Sequence, residues 1–277
     1  MSISASSALR PKLLRSFSTF GSRLLFVLPL LLIVLFYVVV LLLTFQSYPP
    51  VKIVHILRAP DVLHAIFLSL STATVASLIA MTLGVPTAYF LARREFTGKV
   101  WVDALLDVPV FVSPIAVGAL LLIAFSSAQG RWMQTHFMEI VFEVPGIIIA
   151  QAAIVTALAV RLMKATFEAI PPRYEKVARS LGCTEWMAFR RVVLPLSKGG
   201  LMASGILVWA RALGEFGATV TLAGATENKT ATIPTSIYLS FASADVNRAL
   251  TLVVILMLTA MIGLVGLRKV AGKTLEL

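Results

Sequence analysis

The chain has 277 residues, of which 58% are apolar and only 13% charged, and its formal net charge is +11. Soluble domains average about 25% charged residues, so the composition excludes an ordinary water-soluble fold and points to lipid as the main solvent. The basic excess does not indicate a nucleic-acid partner, because the cations fall between long apolar runs rather than on one face of a soluble domain.

A hydrocarbon core about 30 Å thick takes roughly 20 apolar residues as a helix. The first candidate span, 24–45, is uncharged and follows Arg10, Lys12, Arg15 and Arg23. A signal peptide begins the same way. This run exceeds a usual signal core, and residues 44–48 offer no small-x-small cleavage site, so it reads as an uncleaved anchor. The second span, 65–92, is long enough to extend beyond the core. The third, 108–128, is interrupted by Pro109 and by Ser113-Pro114. Proline removes a donor and frees a carbonyl, which in lipid needs another partner. The fourth, 144–163, has the shortest apolar run. The fifth, 199–226, holds two charges, Arg211 and Glu215, and the sixth is 249–267. Only helices satisfy their own backbone over such lengths. The expected fold is therefore all-α: a polytopic membrane helix bundle with about six transmembrane helices.

Lys and Arg counts set the orientation. Eighteen of them lie in the N-terminal tail, residues 93–99, residues 161–198 and the C-terminal tail. Five lie in the opposite loops: Lys52, Arg58, Arg131, Lys229 and Arg248. Both termini are thus expected in the cytoplasm of a multi-pass inner-membrane protein. Residues 1–23 and 268–277 form tails around a transmembrane domain at 24–267. No loop is long enough for a nucleotide-binding fold.

The loop 161–198 is more than a connector. Pro171-Pro172 stops the preceding helix. Tyr174, Val177, Ala178 and Leu181 recur at helical spacing and share one face of a short helix. Gly182 can end that helix in a left-handed cap. Thr184 can cap a second helix, with Glu185 favourable in its first turn. Trp186, Phe189 and Val193 form its apolar stripe, and Pro195 follows near its end. Such a pair is either an elbow lying among lipid headgroups or an element that docks into a partner's groove.

Within the fifth span, Arg211 and Glu215 stand at i and i+4 and can pair. A charge near the bilayer centre costs at least about 2.5–3.5 kcal/mol, so such residues face a bundle interior or a cavity. They either fix helix packing or brace a gate. Gly214 and Gly217 flank Glu215 and serve close packing, a bend, or both. Broken spans often lie beside transport paths. Ser113, Thr219 and Thr221 are the weak donors such a path could use.

An enzyme needs convergent catalytic groups, and no HExxH, GxSxG or carboxylate pair appears. Gly272-Lys273-Thr274 lacks the earlier glycine of a phosphate-binding loop, since Leu267 stands there. The lone Cys183 permits no intrachain disulfide, and His55, His64 and His136 have no metal-ligand spacing. A channel or scaffold is the other rival, but a simple channel has no need of the basic two-helix loop.

That loop resembles the EAA loop of membrane subunits of ATP-binding-cassette importers. The family pattern runs E-A-A, three residues, G, nine residues, I-x-L-P. Gly182 takes the glycine place, Val192-Val193-Leu194-Pro195 the ending and Ala178 the second alanine. Lys176 and Val177 depart from the pattern, with Glu175 one residue before the acidic place. Residues 60–267 resemble in particular the molybdate, tungstate and sulfate members. The marks are residues 103–118, the run Arg211 to Thr219 including Phe216, and the run Thr232 to Tyr238. The resemblance implies a coupling helix seated in an ATPase cleft, with contacts from Tyr174, Glu175, Ala178, Leu181, Gly182, Trp186, Phe189, Leu194 and Pro195. The candidate residues for a translocation path or gate, from the interrupted spans themselves, are Ser113, Pro114, Arg211, Gly214, Glu215, Phe216, Gly217 and Thr219. The resemblance also implies a second copy of the chain, two cytoplasmic ATPase subunits carrying ATP and Mg2+, and an extracytoplasmic oxyanion-binding protein. No cofactor or metal is expected in this chain. Molybdate or tungstate is the expected cargo, with sulfate or thiosulfate as the alternative.

Overall fold

The structure is a computed structural model that describes residues 10–46 and 55–275. Residues 1–9 of the expected N-terminal tail, the loop cation Lys52 and residues 276–277 lie outside the described residues. The chain divides into two units, Met1–Val54 and His55–Leu277. The first holds one helix, α1 (Arg10–Gln46), which runs unbroken through Pro29. It begins well before the apolar run, at the first cation of the expected tail.

The second unit is built on two parallel helices, α2 (Pro60–Arg93) and α6 (Val144–Glu168). The side of α2 that meets α6 is made of small residues: Ala73, Ala76, Ala80, Gly84 and Ala88 are all buried. Lipid offers no hydrophobic drive between helices, so association rests on van der Waals contact, which small residues permit at short range. At Gly84 a Cβ would stand 3.2 Å from that of Ala159. Buried hydroxyls on α2 bond back to their own helix, Thr72 to the Leu68 carbonyl at 2.8 Å and Ser77 to that of Ala73 at 2.6 Å. The fourth span, the shortest by apolar run, is a 25-residue helix in the structure and is extensively buried. Its last turns carry Arg161, which the expected range held, and run on through Lys164 and Glu168 beyond it.

The third span is not one helix. It divides into α3 (Lys99–Phe111) and α4 (Pro114–Ser126), bent by 109°. Proline crowds the residue before it out of the helical region, and Ser113 accordingly has ψ 134°. Proline is then well placed in the first turn of the next helix, where its missing donor costs nothing. Pro109, inside α3, does not break it. A short helix, α5 (Ala128–His136), follows α4.

The fifth span also differs from the expected 199–226. Helix runs from the loop into the membrane through α8 (Glu185–Ala188), a π turn (Phe189–Val193) and α9 (Leu194–Leu213). Pro195 therefore lies in the first turn of α9, not near a helix end. Its missing donor sits beside the π turn, where Leu194 N bonds to the Phe189 carbonyl. After Leu213 the chain opens at Gly214–Phe216 and resumes as the short α10 (Gly217–Ala223). Then come α11 (Ile233–Ala242) and α12 (Val246–Leu275). Helix α9 packs on α2, α6 and α12, while α10 packs on α4 and α6.

The two ends of this bundle differ. One carries the C-terminal ends of α2 and α6 together with α7 (Arg173–Ser180) and α8. At the other, Lys229 pairs with Glu143, and Arg248 pairs with Asp61.

Candidate functional site

The two interrupted spans meet. At Gly118, on α4, a Cβ would lie 2.8 Å from Ala218 Cα and 2.9 Å from its carbonyl oxygen. At Gly217 it would lie 3.0 Å from Ile115 N and 3.1 Å from Pro114 Cβ. Main chain therefore runs against main chain where α4 and α10 cross, and both glycines are required by that approach. Gly214 is different: it is exposed, and its Cβ would meet nothing closer than 3.7 Å. The crossing thus brings Pro114 and Gly217 together, although more than 100 residues separate them.

Glu215 lies in the gap between α9 and α10 and is 1% exposed. Its Oε1 accepts from Ala218 N at 3.0 Å, satisfying a donor in the first turn of α10. Its Oε2 is 2.6 Å from Arg211 Nη1, in charge contact but out of line for a hydrogen bond. The Arg211 side chain is 38% exposed, so one partner is sealed and the other reaches open space. The pair braces the break at its start. Phe216 packs on Tyr238, with ring centroids 5.1 Å apart. Thr219 is fully buried, and its hydroxyl has no partner among the described residues. Thr221 bonds back to the Gly217 carbonyl at 2.7 Å. Of the expected weak donors, Ser113 alone is exposed.

At the other site, two caps lock α7 to α8. Gly182 has φ +89°. Its N–H donates to the Arg179 carbonyl at 3.0 Å, and that of Cys183 to the Ala178 carbonyl at 3.1 Å, the paired bonds of a Schellman ending. Thr184 Oγ1 then accepts from Met187 N at 3.2 Å and starts the next helix. This frame sorts the expected stripes. Ala178, Phe189 and Val193 are buried, whereas Tyr174, Val177, Leu181 and Trp186 are exposed. Trp186 stacks on Phe189, which in turn packs on Tyr89 and Phe167. Leu194 is half-buried and Pro195 exposed at the start of α9.

Glu175 does not join the outward face expected for a docking contact. Its Oε1 accepts from Arg93 Nε at 2.6 Å and its Oε2 from the Tyr89 hydroxyl at 2.7 Å. Arg93 Nη2 also donates to the Ile170 carbonyl at 3.0 Å. Both carboxylate oxygens are thereby engaged within the chain. Next to it, Arg94 Nη2 bonds both oxygens of Glu185, at 2.7 and 2.8 Å. Sequence reasoning treated Arg93 and Arg94 only as charges that set orientation. The available signal was Tyr89 four residues before Arg93, one face of α2 ending in a hydroxyl and a guanidinium.

Residues 80–269 match a family described as the binding-protein-dependent transport system inner membrane component. A molybdenum transport system permease protein, ModB of Haemophilus influenzae, is 34% identical over 177 residues, covering 63% of this chain and 77% of that protein. A molybdate/tungstate transport system permease protein, WtpB of Thermococcus kodakarensis, is 36% identical over 171 residues, 62% of this chain and 65% of that one. A sulfate transport system permease protein, CysW of Synechocystis, is 32% identical over 203 residues, 71% and 74%. Among solved structures, a bacterial transporter that imports the polysaccharide alginate matches with a TM-score of 0.73 at 17% identity, covering 96% of this chain and 98% of that one.

Proposed function

Because this chain belongs to the inner-membrane components of binding-protein-dependent transport systems, we infer that it is the permease subunit of an ATP-driven importer of a tetrahedral oxyanion, molybdate or tungstate. It is a transport subunit, multi-pass in the inner membrane. The elbow of α7 and α8 faces the cytoplasm, as the basic bias requires, and there takes one of two ATPase subunits that carry ATP and Mg2+. A binding protein delivers the anion at the opposite end. A second copy of the chain completes the path beside the crossing of α4 and α10, and the two copies alternate access across it.

One observation supports this reading above the others. Tyr174, Val177, Leu181 and Trp186 stay exposed on a frame fixed by two helix caps. A rigid apolar projection of this kind is suited to a groove in a partner. The molybdenum and molybdate/tungstate relatives support this cargo. Sulfate is the second reading, favoured by sulfate transport system permease relatives at 32% identity. Tetrahedral oxyanions share charge and shape, so a permissive path leaves selection to the binding protein.

The test is ATP hydrolysis by the reconstituted complex, with the binding protein loaded in turn with molybdate, tungstate, sulfate or phosphate. Stimulation by molybdate or tungstate is expected. Stimulation by sulfate alone moves the assignment to the second reading. Loss of response to every oxyanion, with a competent ATPase present, removes the cargo assignment.

A further inference from the structure

The C-terminal end of α2 holds both helices of the elbow. Arg93 takes α7 through Glu175, with 10% and 12% of the two side chains exposed. Arg94 takes α8 through Glu185. The same α2 carries the small-residue face packed on α6, and Gly84 on that face meets Ala159. A force applied to the elbow therefore has two routes into the bundle. One is covalent, along the continuous helix from Glu185 to Leu213. The other is the Arg93 grip, which joins α2 to a helix that is 80 residues away in sequence and separated from α9 by the Schellman turn.

The two routes differ in kind. The covalent one passes through the π turn at Phe189–Val193, where the hydrogen-bond ladder is widened. Such single turns concentrate at functional positions. The Arg93 grip is a second contact, fixed independently of that helix. A guanidinium fixed at Nε and at Nη2, on a carboxylate also bonded by a tyrosine hydroxyl, is a charge-assisted network with little freedom left.

We propose that Arg93, Glu175 and Tyr89 are positioning residues that transmit elbow movement to α2, so that α2 and α6 follow the docked ATPase. This rests on the importer reading above. Glu175 works here by facing inward, which is why a carboxylate can stand one place before the acidic position of the family pattern without touching the partner. Arg94 and Glu185, 54% and 49% exposed, guide α8 and carry less of the coupling.

The test compares three proteins in the assembled complex, reconstituted with its ATPase and molybdate-loaded binding protein: unmodified, Glu175→Gln, and the exchanged pair Arg93→Glu with Glu175→Arg. Three quantities are read: ATPase retained on purification, ATP hydrolysed, and molybdate taken up per ATP. For Glu175→Gln, ATPase binding and hydrolysis are expected to persist while uptake per ATP falls about tenfold, the scale of coupling changes along packed networks. The exchanged pair is expected to recover part of that loss. A parallel fall in hydrolysis and uptake, with lowered thermal stability, would reduce the network to a structural brace and overturn the proposal. Loss of the ATPase from Glu175→Gln would make Glu175 a docking contact and overturn it as well. Unchanged uptake per ATP would also overturn it. Failure of the unmodified chain to retain any ATPase would instead sink the importer reading, and this proposal with it.

Discussion

Two ion pairs of the same chemistry sit in different parts of this molecule. Arg211 and Glu215 are four residues apart, beside a gap in one membrane span. Arg93 and Glu175 are 82 residues apart and join the end of α2 to the elbow. The first is asymmetric, its carboxylate 1% and its guanidinium 38% exposed. The second is nearly even, at 10% and 12%. In the first, the carboxylate also caps a helix that restarts after the break. In the second, it is shared with a hydroxyl from the same helix as its cation. One pair therefore stabilises an interruption, and the other ties the end of α2 to the elbow. A helical i, i+4 spacing announces only the former.

The asymmetry makes a sharp prediction. Arg211→Met leaves a sealed carboxylate without its charge partner, which costs about 3–5 kcal/mol. Glu215→Gln is expected to cost clearly less, because Arg211 can turn to open space and the amide oxygen can still accept from Ala218 N. Thermal unfolding in detergent ranks the two, and the reverse order would show that Arg211 is the buried partner.

Arg93→Met leaves Glu175 with the Tyr89 hydroxyl alone, so the loss is that of charge-assisted hydrogen bonds, about 1.5–3 kcal/mol. The same unfolding measurement checks it. A loss matching that of Arg211→Met would erase the distinction between the two pairs.

The glycines repeat the contrast between local and distant causes. Gly182 needs its φ of +89° but has nothing within 4 Å. Gly182→Val is expected to cost about 1–2 kcal/mol of backbone strain, and Gly182→Asn less, since asparagine tolerates that region. Transport should fall with the valine while the bundle still inserts. Gly118 is the opposite case, set by the backbone of Ala218. Gly118→Leu should separate α4 from α10 and reduce transport, with an overpacking cost of about 1–3 kcal/mol. Gly214→Ala, whose Cβ would make only an ordinary contact with the Ala210 carbonyl at 3.7 Å, should leave transport nearly intact. Uptake by the four variants separates packing from conformation.

The smallest effect belongs to Arg94→Met. The Arg94–Glu185 pair is about half exposed on both sides, and exposed pairs contribute about 0–1 kcal/mol. Its removal should scarcely move the unfolding temperature.

The sequence by itself determined the all-helical membrane bundle. Apolar runs of span length have one stable form in lipid, so their number can be read without tertiary information. It also determined the elbow, because Gly182 and Thr184 act on their own neighbours, and the i, i+4 pairing of Arg211 with Glu215. The tertiary structure decided what depends on distant partners. Hydropathy measures transfer into lipid and does not register whether the helix is continuous: Ser113-Pro114 announced the break in the run 108–128, whereas Gly214 and Gly217 left the run 199–226 open between close packing and a bend. Only the fold set the two breaks against each other, through glycines whose need comes from a backbone 100 residues away. It alone turned Glu175 inward, since a carboxylate on an exposed helix goes to whichever cation lies within reach, and Arg93 reaches it from another span.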